Sequence, residues 1–256
     1  MLVEILTFGN EILIGEIVNT NTSWLAKELT LLGAKITRMS TASDDLLDLE
    51  NTFLESFARK PDIIISTGGL GPTWDDRTLT GLSKALNEDL ILNEEALSFI
   101  KNKYSLFNIQ MSEAAEKMAY LPKNGKYLNN KFGTAPGLCY QYQKITIFCF
   151  PGVPKEMKEM FAEHIIPFLA TFSSTNTFLE EKFLVYDLYE SKLAAVTKKF
   201  TSLHPEIYIK SHPNGHIKMH ITAWGDAKTK ELMTNVVIQL KIDIEAIGGL
   251  IKEIYY

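Results

Sequence analysis

The sequence predicts an α/β fold built on a parallel sheet, followed by a small α+β domain. Ile63, Ile64 and Ile65 form an apolar run without alternation, which is typical of a strand buried on both faces of a parallel sheet. Strand and helix patterns alternate around this run, as in βαβ units. The composition changes at residues 171–177, which predicts a linker between domains at 1–172 and 173–256.

The segments that precede the isoleucine run predict a strand, a helix, a second strand and a second helix. The strands are Leu2–Phe8 and Ala34–Met39. The first helix begins after a polar cap among residues 19–21 and ends at Gly33. The apolar faces of the two helices are Trp24, Leu25, Leu29 and Leu32, and Leu46, Leu49, Phe53, Leu54 and Phe57.

The later segments predict four more helices around a strand pair, and then the small domain. The first group comprises helices at Asp76–Asn87, Asn93–Phe107 and Ser112–Met118, strands at Leu138–Tyr142 and Ile145–Phe150, and a helix opened by Pro154. The small domain has the predicted order βαββα, at Phe178–Tyr186, Glu190–Phe200, Glu206–Lys210, His216–Trp224 and Lys228–Ile247. The evenly spaced His212, His216 and His220 lie on or beside an alternating strand, which favours solvated histidines over a metal site.

Composition excludes several classes of function. The 256 residues carry a net charge of -5 and no basic block, which disfavours nonspecific nucleic-acid binding. No apolar run reaches membrane-spanning length, and the chain enters a strand at once without a secretory signal. Cys139 and Cys149 lie in apolar segments, which predicts reduced core thiols in a cytoplasmic protein.

A glycine-rich loop follows the isoleucine strand and precedes a helix. Gly68, Gly69 and Gly71 allow positive φ angles and leave room for a ligand close to the backbone N–H groups. A strand, a glycine loop and a helix start form a typical phosphate site. The alternative is an ordinary tight turn, with Thr73 or Asp75 capping the helix.

Acidic residues follow three successive predicted strands. They are Glu11, Asp44 with Asp45, and Asp75 with Asp76, and right-handed crossovers place all three loops at one edge of the sheet. Carboxylates would repel a bare phosphate, so their convergence on the glycine loop indicates a divalent cation between the two. Helix capping is the alternative for the pair at 44–45.

Further candidate ligand-binding residues lie in polar loops that could face the same pocket. Asn10 could donate a hydrogen bond, and Lys155, Lys131 or Arg77 could add positive charge near a phosphate. The remaining candidates are Asn19 before the first long helix, Thr73 after the glycine loop, Gly133 and Thr134 in a second glycine-bearing loop, and Gly152 and Glu156 around Pro154.

Four motifs in order closely resemble the N-terminal domain of the CinA family, which has the MoaB/Mog molybdopterin-binding-like fold. They are Gly9-Asn10-Glu11, the stretch from Gly68 to Asp76, Gly133-Thr134-Ala135-Pro136-Gly137 and the stretch from Pro151 to Met157. The resemblance covers roughly residues 1–172 and implies a three-layer α/β/α domain with a mostly parallel sheet. It also implies a homo-oligomer, a dimer or trimer.

The resemblance also implies roles for particular residues. In Mog-like relatives the glycine loop holds the phosphate end of the pterin, and two functional acidic positions correspond to Asp44 and Asp76. CinA domains are associated with metal-dependent hydrolysis of ADP-ribose, and a similar domain with hydrolysis of FAD. The chain ends at Tyr256 without the CinA amidohydrolase domain, so deamidation is not expected, and it has Leu70 where Mog-like proteins have threonine.

Two functions are consistent with these features. The first is hydrolysis of a nucleoside diphosphate compound such as ADP-ribose or FAD, with Mg²⁺, Mn²⁺ or Co²⁺ held by Glu11, Asp44, Asp75 and Asp76. The second is binding of molybdopterin in the same pocket without hydrolysis. An effector-binding protein is a third possibility. The sequence does not choose the metal, the base, the oligomer count or the role of the small domain.

Overall fold

The computed structural model describes residues 1–172 and 177–254. The chain divides into two compact units, of which the first consists of Met1–Thr30 and Ala34–Phe172. The second unit contains the described residues from Thr177 onward, and Leu31–Gly33 are grouped with it. The predicted linker falls largely on residues 173–176, outside the described residues. Within the described part of the chain, no helix has the length and apolarity needed to cross a membrane.

The first unit is built on a six-stranded sheet. The strands of the first unit, in chain order, are β1 (Leu2–Phe8), β2 (Lys35–Ala42), β3 (Ile63–Thr67), β4 (Leu90–Leu92), β5 (Tyr120–Pro122), β6 (Lys126–Leu128), β7 (Gly137–Tyr142) and β8 (Ile145–Phe150). The sheet order is β2-β1-β3-β8-β7-β6, and β4 and β5 form a separate antiparallel pair. The four strands β2, β1, β3 and β8 are parallel, whereas β7 pairs antiparallel with both of its neighbours, β8 and β6. The predicted α/β class with a mostly parallel sheet is confirmed.

Helices cover both faces of this sheet. They are α1 (Asn10–Leu13), α2 (Thr20–Leu31), α3 (Leu46–Arg59), α4 (Thr78–Leu86), α5 (Glu94–Leu106), α6 (Glu113–Glu116), α7 (Pro154–Met160) and α8 (Ile166–Ala170). Ile64 packs in one hydrophobic cluster with Leu49 of α3, whereas Ile63 packs in another with Leu25 of α2. Side chains alternate along a strand, so the unbroken apolar run supplies a core on each face, and the unit has three layers.

The N-termini of α3 and α4 differ in whether an aspartate caps them. Asp45 caps α3, because its Oδ1 accepts a hydrogen bond from the Leu47 amide at 2.9 Å. The helix predicted from Asp76 begins instead at Thr78, and neither Thr73 nor Asp75 caps it. The physical reason is that these side chains bond to one another in the preceding turn, where Asp76 Oδ2 accepts from the Thr73 amide at 2.9 Å.

The second unit is a four-stranded antiparallel sheet with two helices. It contains β9 (Thr177–Tyr186), α9 (Glu190–Leu203), β10 (Tyr208–Pro213), β11 (Ile217–Gly225), α10 (Ala227–Ala246) and β12 (Leu250–Glu253). The strand order is β10-β11-β9-β12. The predicted βαββα pattern is therefore present, and β12 extends it to βαββαβ. The strand β12 was not predicted, because its four residues show no clear alternation of apolar and polar side chains.

Candidate functional site

A cleft of about 520 Å³ opens at the C-terminal ends of β1, β3 and β8. Its volume lies within the range of about 300–1,000 Å³ that is usual for small-molecule sites. The cleft brings together most of the residues proposed from the sequence, namely Glu11, Asn19, Asp44, Gly68, Gly69, Gly71, Asp75, Asp76, Thr134, Gly152 and Glu156. Asn10, Thr73, Gly133 and Lys155 are not among the residues that line it.

The charge of the cleft lining is entirely negative. The ionisable residues that line it are Glu11, Asp44, Asp75, Asp76 and Glu156, and no lysine, arginine or histidine of the described residues lines it with them. Five carboxylates around one cleft repel each other and any anionic ligand. An anionic ligand therefore needs a cation to enter this cleft with it.

Asp44 is the carboxylate whose environment most disfavours its charge. Burial raises the pKa of Asp44, and the charges of Glu11, Asp75 and Asp76 raise it further. The opposing contribution to this pKa comes from the backbone amide of Asn10, which donates a hydrogen bond to Asp44 Oδ2 at 2.9 Å. Asn10 thus acts through its backbone in positioning Asp44, and its side chain is not among the groups that line the cleft.

The glycine loop brings backbone amides to the cleft. Gly68 has φ +103, and its amide donates to the Phe150 carbonyl at 3.0 Å, so this N–H is not available to a ligand. A Cβ at Gly68 would overlap the Phe8 carbonyl oxygen. Among the residues that the structure describes, none accepts a hydrogen bond from the amide of Gly69 or Gly71. These two N–H groups are therefore among the loop amides that remain available to an anion.

Thr73, Asp75 and Asp76 form a closed turn beside the glycine loop. The Thr73 hydroxyl contacts Asp75 Oδ1 and lies 2.6 Å from Asp76 Oδ2. The hydrogen bond from Thr73 lowers the pKa of Asp75, which keeps that carboxyl charged. Thr73 does not line the cleft, whereas Asp75 and Asp76 do. Its role is therefore to orient these two carboxylates.

The cations proposed from the sequence are engaged elsewhere. The ammonium of Lys155 lies 4.0 Å from the centre of the Phe132 ring. Lys131 pairs with Glu159 at 3.2 Å. The guanidinium of Arg77 lies 5.5 Å from the ring centre of Trp74, which is 78% exposed. None of these three residues lines the cleft.

Lys117 stabilises the turn of Thr73, Asp75 and Asp76, here called the acidic turn. This residue was not identified from the sequence. Its ammonium contacts the Thr73 carbonyl and donates to the Asp76 carbonyl at 3.1 Å. Burial lowers the pKa of Lys117, whereas the charges of Asp76 and Asp75 raise it. Lys117 is 41 residues from Asp76 in the chain, so no local pattern connects them.

Asn21 is a second residue whose role the sequence analysis missed. Asn21 is 8% exposed and lines the cleft, and its Nδ2 donates to Thr67 Oγ1 at 3.1 Å and to the Gly152 carbonyl at 2.8 Å. The Thr67 hydroxyl donates to the Pro151 carbonyl, so it must accept from Asn21. This fixes the amide orientation and leaves the buried Asn21 Oδ1 without a protein partner among the described residues. A ligand N–H or O–H could satisfy this oxygen.

The second glycine-bearing loop holds Glu156 at the cleft. Asn130 is fully buried, and its Nδ2 donates to Glu156 Oε2 at 2.8 Å. The Gly133 amide donates to Asn130 Oδ1 at 2.9 Å, so Gly133 supports this contact from outside the lining. Asn19 lines the cleft and also accepts from the Thr22 amide at 3.0 Å, as expected for a residue before the first turn of α2.

The chemistry of the lining fits a hard divalent cation. Carboxylate oxygens are the preferred ligands of Mg²⁺ and Mn²⁺, and no positive side chain of the described residues lines the cleft beside them. In the described part of the chain, no group of three or more acidic, histidine or cysteine side chains forms a ready-made metal site. Side-chain rotation would therefore have to bring the carboxylates onto the ion.

A family model and several proteins match this chain. A family model described as "Probable molybdopterin binding domain" matches residues 4–171. A protein of Sulfurisphaera tokodaii is 40% identical over 256 residues, which cover 97% of each chain. A protein of Saccharolobus solfataricus is 37% identical over 257 residues, which cover 97% of this chain and 94% of that one. Both relatives therefore match the second unit as well as the first.

A solved structure matches the larger part of the chain. It is the protein CinA from Thermoplasma acidophilum, described as having unknown function, and it is 35% identical with a TM-score of 0.61. The match covers 65% of this chain and 96% of that chain. The family model and this structure together show that the chain belongs to the family of the probable molybdopterin-binding domain and is a relative of CinA.

Proposed function

We propose that the protein hydrolyses a nucleoside diphosphate compound, such as ADP-ribose or FAD, with a divalent metal ion. The observation that carries this proposal is the combination of free glycine-loop amides with five carboxylates and no cationic side chain in the described lining of the cleft. A diphosphate brings negative charge that the amides alone do not balance. A divalent cation satisfies the carboxylates and the phosphate at once.

Each group then has a physical role. The Gly69 and Gly71 amides hold phosphate oxygens, while Glu11, Asp44, Asp75 and Asp76 hold the metal and orient the attacking water. Thr73 and Lys117 keep the acidic turn in place. The metal, when bound, stabilises charge on the phosphate and lowers the pKa of a bound water.

The direct test is hydrolysis by the purified full chain. ADP-ribose and FAD are each incubated with Mg²⁺, Mn²⁺, Co²⁺ or EDTA, and AMP release is measured by chromatography. We expect AMP with at least one metal and none with EDTA. Absence of AMP with all three metals would contradict the hydrolase proposal.

The alternative function is molybdopterin binding without hydrolysis. It is favoured by the family model over residues 4–171 and by the unpartnered Asn21 Oδ1, which suits a ligand with ring N–H donors. Binding of pterin in the presence of excess ADP-ribose, without AMP release, would support it. Undetectable pterin affinity would exclude it. We also propose the dimer or trimer expected from the resemblance, which sedimentation equilibrium can measure.

Asn21→Ala is expected to weaken binding of the ligand about 10-fold, because a single hydrogen bond to a buried acceptor contributes roughly 0.5–1.5 kcal/mol. The measurement is KM for ADP-ribose, or Kd for pterin. Thr67→Val is the control, since it removes the hydroxyl that accepts from Asn21 Nδ2 and donates to the Pro151 carbonyl but leaves Asn21 Oδ1 in place. Equal losses for the two variants would show that Asn21 acts through the loop structure rather than through Oδ1.

A further inference from the structure

The sheet of the second unit has one covered face. Buried residues of β9, β10 and β11 pack in one hydrophobic cluster with residues of α9 and α10. On β11 these inward residues are Ile217, Met219, Ile221 and Ala223, and the alternate side chains point the other way. The order βαββαβ with this strand arrangement is that of ferredoxin-like domains, whose open sheet face binds single strands in RNA-recognition modules.

The strand register places lysines and histidines in two rows across the outward face. Residues directly opposite each other in a sheet project from the same face. One row contains Lys210, His220 and Lys182. The next row contains His212, Lys218, Leu184 and Lys252. The outward face therefore carries four lysines and two histidines.

Aromatic side chains occupy the same face at the other end of the strands. Tyr208 lies opposite Thr222 and is 58% exposed. Trp224 lies opposite Phe178, is 36% exposed and has its ring centre 5.0 Å from that of Phe178. Exposed aromatic rings beside lysines on one sheet are the usual platform for stacking unpaired bases.

The charge of this face differs from that of the rest of the unit. Residues 177–254 contain ten lysines and ten acidic residues, so the segment is neutral as a whole. Glu180 is the acidic residue closest to these lysines. It lies opposite Thr222, one row away, and pairs with Lys182 at 2.6 Å and with His220 at 2.7 Å. The remaining acidic residues lie off these rows, so folding separates the charge into a cationic sheet face and an acidic remainder.

We propose that this outward face binds single-stranded nucleic acid. The lysine rows would contact backbone phosphates, and Tyr208 and Trp224 would stack on bases. The net charge of -5 disfavoured nucleic-acid binding in the sequence-based prediction. A net charge does not show that lysines and acidic residues lie on different faces of the folded unit. The binding surface is independent of the cleft, so it stands whether or not the hydrolase proposal is correct.

Fluorescence anisotropy of the full chain with fluorescein-labelled U12 and dT12 tests the proposal. At 50 mM salt we expect micromolar binding that weakens at 200 mM salt. The double variant Lys210→Ala with Lys218→Ala should bind at least about 5-fold more weakly. Its salt slope should fall by roughly 1.4, because each phosphate contact with a single strand contributes about 0.7. Tyr208→Ala should lose about 5-fold or more through lost stacking.

The matched control is Lys192→Ala with Lys198→Ala, which removes the same charge from exposed positions of α9. This control should bind like the wild type, and the Lys210/Lys218 variant should retain any hydrolysis of ADP-ribose. No anisotropy change at 100 μM protein would overturn the proposal, as would equal weakening by both lysine pairs. Equal affinity for a duplex of the same length would also overturn it, because a duplex offers no free bases to Tyr208.

Discussion

Asp44→Asn is expected to slow metal-dependent hydrolysis of ADP-ribose at least about 100-fold, the usual range for loss of a catalytic carboxylate. Asparagine preserves the shape of the side chain and can still accept from the Asn10 amide, so the loop should keep its structure. Only the charge that we propose holds the metal is lost. The measurement is kcat/KM at saturating Mn²⁺, or with whichever metal proves active.

The same variant should lose activity but keep or gain stability in the absence of metal. The pKa of Asp44 is raised in the folded protein, mainly by burial and also by its acidic neighbours. Ionised Asp44 therefore destabilises the metal-free fold, and this cost appears as the pH rises from the ordinary pKa through the raised one. In EDTA, Asp44→Asn should be at least as stable as the wild type at neutral pH, and added Mn²⁺ should raise its melting temperature less.

Asp45→Asn is the matched control for both measurements. Asp45 is the neighbouring carboxylate but caps α3 and does not line the cleft, and asparagine is an equally good cap. Its activity and its stabilisation by metal should equal those of the wild type. If Asp44→Asn retained full activity, or if both variants lost activity equally, the assignment of Asp44 to the metal would be wrong.

Arg59→Met is expected to lower the free energy of unfolding by about 3–5 kcal/mol, as for other broken buried ion pairs. Glu4 lies in the middle of β1 and is only 2% exposed. Arg59 Nε donates to Glu4 Oε1 at 2.8 Å, and Ser56 donates to Glu4 Oε2 at 2.7 Å. Without the guanidinium, a carboxylate would remain buried with one hydroxyl donor. Urea unfolding followed by circular dichroism measures the loss.

Two further variants test the cause of this loss. Glu55→Gln removes only the exposed partner of Arg59, at 3.4 Å, and should cost less than about 0.5 kcal/mol. The double variant Glu4→Met with Arg59→Met should recover much of the stability, because no buried charge is left unpaired. Failure of the double variant to recover would indicate that packing of the arginine stem, rather than charge, is the main contribution.

Much of the fold follows from local patterns. The run at Ile63–Ile65 predicts a central strand because only a parallel sheet buries both faces of one strand. Asp45 was predicted as a cap and is one, since capping depends on residues two and three positions away. The grouping of Glu11, Asp44, Asp75 and Asp76 was likewise predictable, because strand ends meet at one edge of a sheet.

Other features depend on contacts between residues distant in sequence. Lys117 reaches the acidic turn, and Asn21 is oriented by Thr67 and Gly152, through hydrogen bonds spanning 41 to 131 residues. Lys155 was expected near the phosphate but lies over Phe132. A residue type and its spacing report periodicity within one element but not which element packs beside it.

The sequence by itself determined the parallel sheet, the glycine loop and the acidic strand ends, because each arises from neighbouring residues and a fixed backbone period. Only the tertiary structure decided that no cation of the described residues joins the carboxylates in the cleft, and that lysines and aromatics of three strands share one open face. Both outcomes depend on strand register and side-chain direction, which are set by packing across the whole domain.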